Sequence, residues 1–206
     1  MKKTAVLLDL GFVLYKLRGA LGGKPVSADN IHHFARECLV NGEELFRIYC
    51  YHCKPYGETR AHPLTGSPLD FSATSTYEGM AKLIRELELK NGVAFRAGDL
   101  SLDGWRIKKS AVTDIAQTKR TLEEDDLVPD LKQKGVDMKI GLDVAWLASK
   151  SIVERIVLET SDSDFIPAMK FARREGVQIV LVTMGHRLIK RELKVHADEL
   201  RSVDYP

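Results

Sequence analysis

Three short, strand-like apolar segments constrain this chain more than any other feature: "TAVLLDL" (4–10), "IVERIVLET" (152–160) and "VQIVLVT" (177–183). Runs of this length, rich in Val, Ile and Leu, are the pattern of strands buried on both faces in a parallel sheet. Helical segments separate them. Residues 28–41 end at Asn41-Gly42, "STYEGMAKLIRELELKNG" opens on Ser75 and Glu78 as a capping box and stops at Asn91-Gly92, and "VDMKIGLDVAWLASK" forms a largely buried helix. Residues 164–176 are helical and stop at Gly176, and a last helix is expected over about 187–200. Strands alternating with helices predict an α/β fold with a mainly parallel central sheet flanked by helices.

The middle of the chain is less patterned. "ELFRIYCYHC" (44–53) predicts a strand, and 54–74, punctuated by Pro55, Gly57, Pro63, Gly66 and Pro68, a long loop. Residues 93–113 suggest a hairpin around Asp103-Gly104, and 114–134 are polar. A single domain over 1–206 is expected, with its irregular part at about 54–125.

Composition excludes several function classes. A formal net charge of +2 gives no bulk attraction for nucleic acid, so any such affinity must come from local clustering. No apolar run reaches membrane-spanning length, and Asp9 interrupts the signal-like start "MKKTAVLLDLGFVLY", which is taken as the first strand of a cytoplasmic protein without membrane attachment. Three cysteines, Cys38, Cys50 and Cys53, are an odd number for a disulfide framework; one C-x-x-C without a second pair predicts buried thiols, not a zinc site.

The acids carry the chemistry. Asp9 ends the first apolar run, and Asp162 and Asp164 follow the run ending near 159, so all three emerge at the carboxyl edge of a parallel sheet, where such folds build their sites. Asp143 shares a helix face with Ile140, Val144 and Leu147, the face that packs inward. A buried carboxylate there requires a cation, either a metal ion or a buried Arg. Asp137 is expected as a helix N-cap, and Asp164 either caps its own helix or supports a metal. Converging carboxylates suit a hard divalent ion such as Mg²⁺ or Mn²⁺, which activates water for attack on a phosphodiester.

"QKGVDMKIGLDVAWLA", followed by "VLETSDSDFIPAMKFARREGVQIVLV", resembles the NYN family, in particular its LabA-like branch, a PIN-like nuclease fold. The matching positions are Lys134 to Asp137, Asp143, and Ser161 to Pro167, with Asp9 as the N-terminal acid. The resemblance implies a Mg²⁺- or Mn²⁺-dependent ribonuclease with catalytic Asp9, Asp143, Asp162 and Asp164, the first three holding the metal. Two departures stand out. The family's D-G-x-N after the first strand is "DLGF" here, without the Asn, and Ser161 replaces a Gly before Asp162. "LLDLGFVL" also resembles the haloacid dehalogenase opening, but Gly11 occupies the place of its second Asp, which argues against that phosphatase chemistry.

A surface for RNA phosphates is expected on the last helix, where Arg187, Lys190, Arg191 and Lys194 fall at i, i+3, i+4 and i+7. An ordinary solvated face would show the same pattern. Trp105 and Tyr77 are expected in core packing before base stacking. The expectation is therefore a cytoplasmic PIN-like domain cleaving RNA, single-stranded in the first instance. A catalytically impaired RNA- or protein-binding module is the alternative that "DLGF" favours. Homo-oligomerisation is compatible with the sequence but not specified by it.

Overall fold

A computed structural model of the chain describes residues 1–185 and 190–203. Its strands are β1 (Lys2–Asp9), β2 (Glu43–Cys53), β3 (Thr59–Ala61), β4 (Pro68–Asp70), β5 (Val93–Ile107), β6 (Leu127–Lys134), β7 (Arg155–Glu159), β8 (Gln178–Val182) and β9 (Glu199–Arg201). Its helices are α1 (Leu10–Ala20), α2 (Ala28–Glu37), α3 (Ser75–Glu88), α4 (Lys109–Thr118), α5 (Val136–Ser149), α6 (Ile166–Arg174) and α7 (Arg191–Lys194). They fall into two compact units, 1–52 with 83–98 and 135–206, and 53–82 with 99–134.

In the first unit the strands lie in the order β5–β2–β1–β7–β8–β9. β1 is parallel to both β2 and β7, β7 to β8, and β8 to β9. The expected α/β architecture with a mainly parallel sheet is therefore present. Its core is the predicted apolar runs: Ala5 to Leu8, Ile156 to Leu158 and Ile179 to Leu181 are all fully buried. The chain passes from β1 to β2 on one side, and returns to β7 and then β8 on the other. The order thus reverses beside β1, and the carboxyl ends of β1 and β7 flank that switch point.

In the second unit the far part of β5 pairs antiparallel with β6, the seventh strand of the sheet. β3 and β4 form a separate antiparallel ribbon. Trp105 packs on His62, with ring centroids 4.9 Å apart, and Phe71 packs on Tyr56 at 5.1 Å. The expected packing role of Trp105 is therefore met.

Several expected elements differ. The segment 93–113 is one long strand followed by α4, not a hairpin. Gly104 takes φ 121° where the register of β5 on β6 shifts between Leu102 and Trp105, so the Asp103-Gly104 signal marks a bulge. The 54–74 loop contains β3 and β4. Thr74, not Ser75, caps α3: its hydroxyl accepts from the Tyr77 amide at 3.2 Å. Among the described residues the expected last helix holds the turn α7 alone, and Leu200 lies in β9. Arg187 lies outside the described residues.

Candidate active site

Two of the predicted acids are set by the same local device. β1 ends at Asp9, whose carboxylate turns back to accept from the Gly11 amide at 3.0 Å and caps α1. A Cβ on Gly11 would meet Asp9 Oδ1 at 3.2 Å, so the missing side chain keeps this cap open. After β7, Asp162 accepts from the Asp164 amide at 2.9 Å and starts the 3-10 turn Ser163–Phe165. Both carboxylates are therefore helix-start caps, and both sit at the carboxyl edge beside the switch point. Ser161, where the family pattern has Gly, is outside the left-handed region and costs no strain.

The third acid to join them is Asp137. It was expected to cap α5, but Gly135, at φ 80°, occupies the cap position without a side-chain bond, and Asp137 stands in the helix's exposed first turn. Burial raises the Asp9 carboxyl above its ordinary range, and Asp137 and Asp162 raise it further, against the lowering bonds from Gly11 and Phe12. Asp137 is raised by burial and then by Asp162 and Asp164. The charges of Asp137 and Asp162 thus act on Asp9, and those of Asp162 and Asp164 on Asp137, at the carboxyl edge of the sheet.

Asp143 is placed elsewhere. It is buried on α5 as expected, but its cation is Arg96: Nε donates to Oδ2 at 2.8 Å and Nη2 to Oδ1 at 2.5 Å. The Tyr51 hydroxyl donates to Oδ2 at 2.9 Å. Both carboxylate oxygens are bonded within the protein, so Asp143 has the Arg partner that the sequence left open beside a metal, although Arg96 is itself half-exposed.

Glu159, the last residue of β7, has no counterpart among the predicted residues. It is fully buried, and neither of its carboxylate oxygens has a hydrogen-bond partner. Burial pushes its carboxyl well above the usual range, Asp9 pushes it further, and only Lys16 of α1 opposes them. The other buried acids of the first unit, Glu43 and Asp143, are by contrast bonded to arginines, Glu43 to Arg201 and Arg155 and Asp143 to Arg96. The sequence signal was an acid closing an otherwise apolar run.

Of the predicted basic residues, Lys190 reaches the acidic edge: its ammonium donates to the Ser163 hydroxyl at 3.1 Å, between Asp162 and Asp164 in the chain. Arg191 and Lys194 are exposed on α7. Among the described residues no group of three or more His, Cys, Asp or Glu side chains is placed to hold a metal ion. The donor set nonetheless suits a hard cation, because it is all carboxylate, mutually repelling, and joined by a buried Glu159 without a partner. No helix of the described residues is long and apolar enough to cross a membrane.

The model of the NYN domain matches residues 81–204, which include Asp137, Asp143, Asp162, Asp164 and Lys190 but not Asp9. A crystal structure of a protein of unknown function from Vibrio parahaemolyticus has the same fold, with a TM-score of 0.52 and 16% identity over 98% of this chain and 93% of that one. No curated protein matches the chain.

Proposed function

From the premise that this chain belongs to the NYN domain family, a PIN-like nuclease family, we propose that it hydrolyses RNA phosphodiester bonds, in single-stranded RNA first. The observation that carries this reading is the placement of Asp9 and Asp162, each fixed by a backbone amide, where β1 ends and after β7 at the carboxyl edge beside the switch point, with Asp137 close enough to act on Asp9. Among the described residues no ion pair neutralises these carboxylates, and a Mg²⁺ or Mn²⁺ ion would do so. Asp9, Asp137 and Asp162 would hold the ion, with Asp164 supporting it. Asp143 would act through its pair with Arg96, fixing α5 so that Asp137 faces the edge. When bound, the ion supplies an acidified water and neutralises charge on the phosphate.

The chain's own residues do the rest. The Gly11 amide fixes the orientation of Asp9, and the Asp164 amide that of Asp162. Lys190, held beside Asp162 and Asp164 by the Ser163 hydroxyl, would contact a phosphate oxygen, and the exposed Arg191 and Lys194 of α7 would add positive charge for the strand. Within the family we assign the chain to the LabA-like branch, on "SDSDF" and the Gly-terminated helix after it. A cytoplasmic setting is supported by Cys38, Cys50 and Cys53, three buried thiols outside any disulfide.

"DLGF" supports a second reading, a binding module with impaired chemistry, because Phe12 stands where the family pattern has Asn. Cleavage of labelled RNA separates the two: an enzyme loses activity on Asp162→Asn and in EDTA, whereas a binding module retains the same affinity in both.

A further inference from the structure

A concavity of about 570 Å³ lies in the first unit between β2, β5 and α5, lined by Phe46, Arg47, Tyr49, Arg96, Leu142 and Trp146 among others. We propose that it is a nucleobase subsite, which takes an unpaired base of the RNA strand on Trp146 and the neighbouring phosphate on Arg47. The proposal rests on the RNA-cleaving reading above.

The aromatic side of the argument is exposure. Trp146 is 51% exposed and Leu142 61%, one turn apart on α5, with Met138 another turn back at 70%. Large apolar side chains in such a row mark a surface that is covered in use. Here the row borders a cleft with aromatic walls, which presents ring faces to a planar guest.

The electrostatic side decides the guest. Arg96 is neutralised by Asp143, the only acid in the lining. Arg47 has no carboxylate within ion-pair distance among the described residues, and it shares the Phe46 ring with Lys3, at 5.4 Å and 4.7 Å from the centroid. The cleft therefore pairs aromatic faces with uncompensated positive charge. A second copy would bring the same patch against itself, cation to cation, with no free acid to answer it. An anionic, aromatic ligand answers both features, and a nucleotide is one. Duplex RNA keeps its bases stacked and paired, so only a single strand can offer one.

Position links the cleft to the acids. Tyr51 of β2 is in register with Asp9 of β1, and Arg47 with Ala5, so the lining runs back along β2 from the acidic edge for about 13 Å at strand rise. A strand cut at the edge can place an unstacked base a few nucleotides away.

The test uses Trp105→Phe protein, in which Trp146 is the sole tryptophan, titrated in EDTA with a short oligoadenylate while Trp146 emission and the anisotropy of the labelled RNA are followed. Saturable quenching that tracks the anisotropy is expected, and no quenching with the corresponding duplex. Trp146→Ala and the surface change Arg47→Glu should each weaken binding roughly tenfold, and Trp146→Phe should largely retain it. RNA that binds without changing Trp146 emission, or that binds both variants as tightly as the parent, overturns the subsite and leaves the cleavage reading standing. Emission that changes with protein concentration alone assigns the face to a second copy and also overturns it. If RNA is neither bound nor cut, the reading beneath the proposal fails and the subsite fails with it.

Discussion

The Arg96 guanidinium grips the Asp143 carboxylate at two points, and the Tyr51 hydroxyl adds a third bond to the same group. Asp143 is 6% exposed, so these three bonds supply the partners that a carboxylate buried in the core requires. They tie α5 to β5 and β2, and they leave Asp137, a turn and a half earlier on the same helix, as the acid that faces Asp162.

Two substitutions on α5 should therefore behave oppositely. Asp137→Asn is expected to abolish RNA cleavage while leaving the midpoint of urea unfolding unchanged or slightly raised, since a repelling charge is removed. Asp143→Asn should cost about 1–3 kcal/mol of stability, because it leaves Arg96 and Tyr51 without their acceptor, and should retain part of its activity. Denaturation and cleavage assays on both proteins check this; loss of activity in a fully stable Asp143→Asn would return that residue to the metal.

Glu159 should make stability fall with rising pH. Its folded pKa is raised above the ordinary 4.5, so the folded state holds the proton more tightly than the unfolded chain. The penalty is absent below about pH 4.5 and grows as pH climbs toward the raised value. Glu159→Gln should remove it. The difference in melting temperature between variant and parent is expected near its minimum in acid and to widen toward neutral pH; a constant difference across that range would contradict the assignment.

Much of this was legible in the sequence. Continuous apolar runs gave β1, β7 and β8, because a strand covered on both faces tolerates no polar alternation. Asp9 and Asp162 followed from where those runs stop. The helical wheel showed that Asp143 is buried and needs a cation, but could not show that the cation is Arg96, because that pairing spans 47 residues of chain. Asp137 was hidden for a different reason: an acid near a helix start is explained locally by capping, and only the backbone shows that Gly135 takes the cap position. The strand β6 was missed because its surface is polar, so the bulge at Asp103-Gly104 was taken for a turn.

Divalent cation should stabilise the fold by relieving the acids. At a hundredfold excess over its dissociation constant, Mn²⁺ should add about 2.7 kcal/mol to unfolding free energy. Asp162→Asn and Asp9→Asn should each lose most of that increment, and EDTA all of it. Calorimetric melting with and without the ion measures this independently of cleavage.

Lys190 should contribute to RNA affinity without choosing sequence. Lys190→Ala is expected to weaken binding to all single strands alike, and to reduce the slope of log affinity against log salt by about 0.7, one phosphate contact. An unchanged slope would mean that Lys190 serves only the Ser163 hydroxyl.

The most direct measurement is cleavage of an end-labelled single-stranded RNA by the parent protein with Mn²⁺, by the parent with EDTA, and by Asp162→Asn with Mn²⁺. The account predicts cleavage in the first reaction alone. Cleavage that persists in either of the other two, or no cleavage in the first by protein that still binds the RNA, would contradict it.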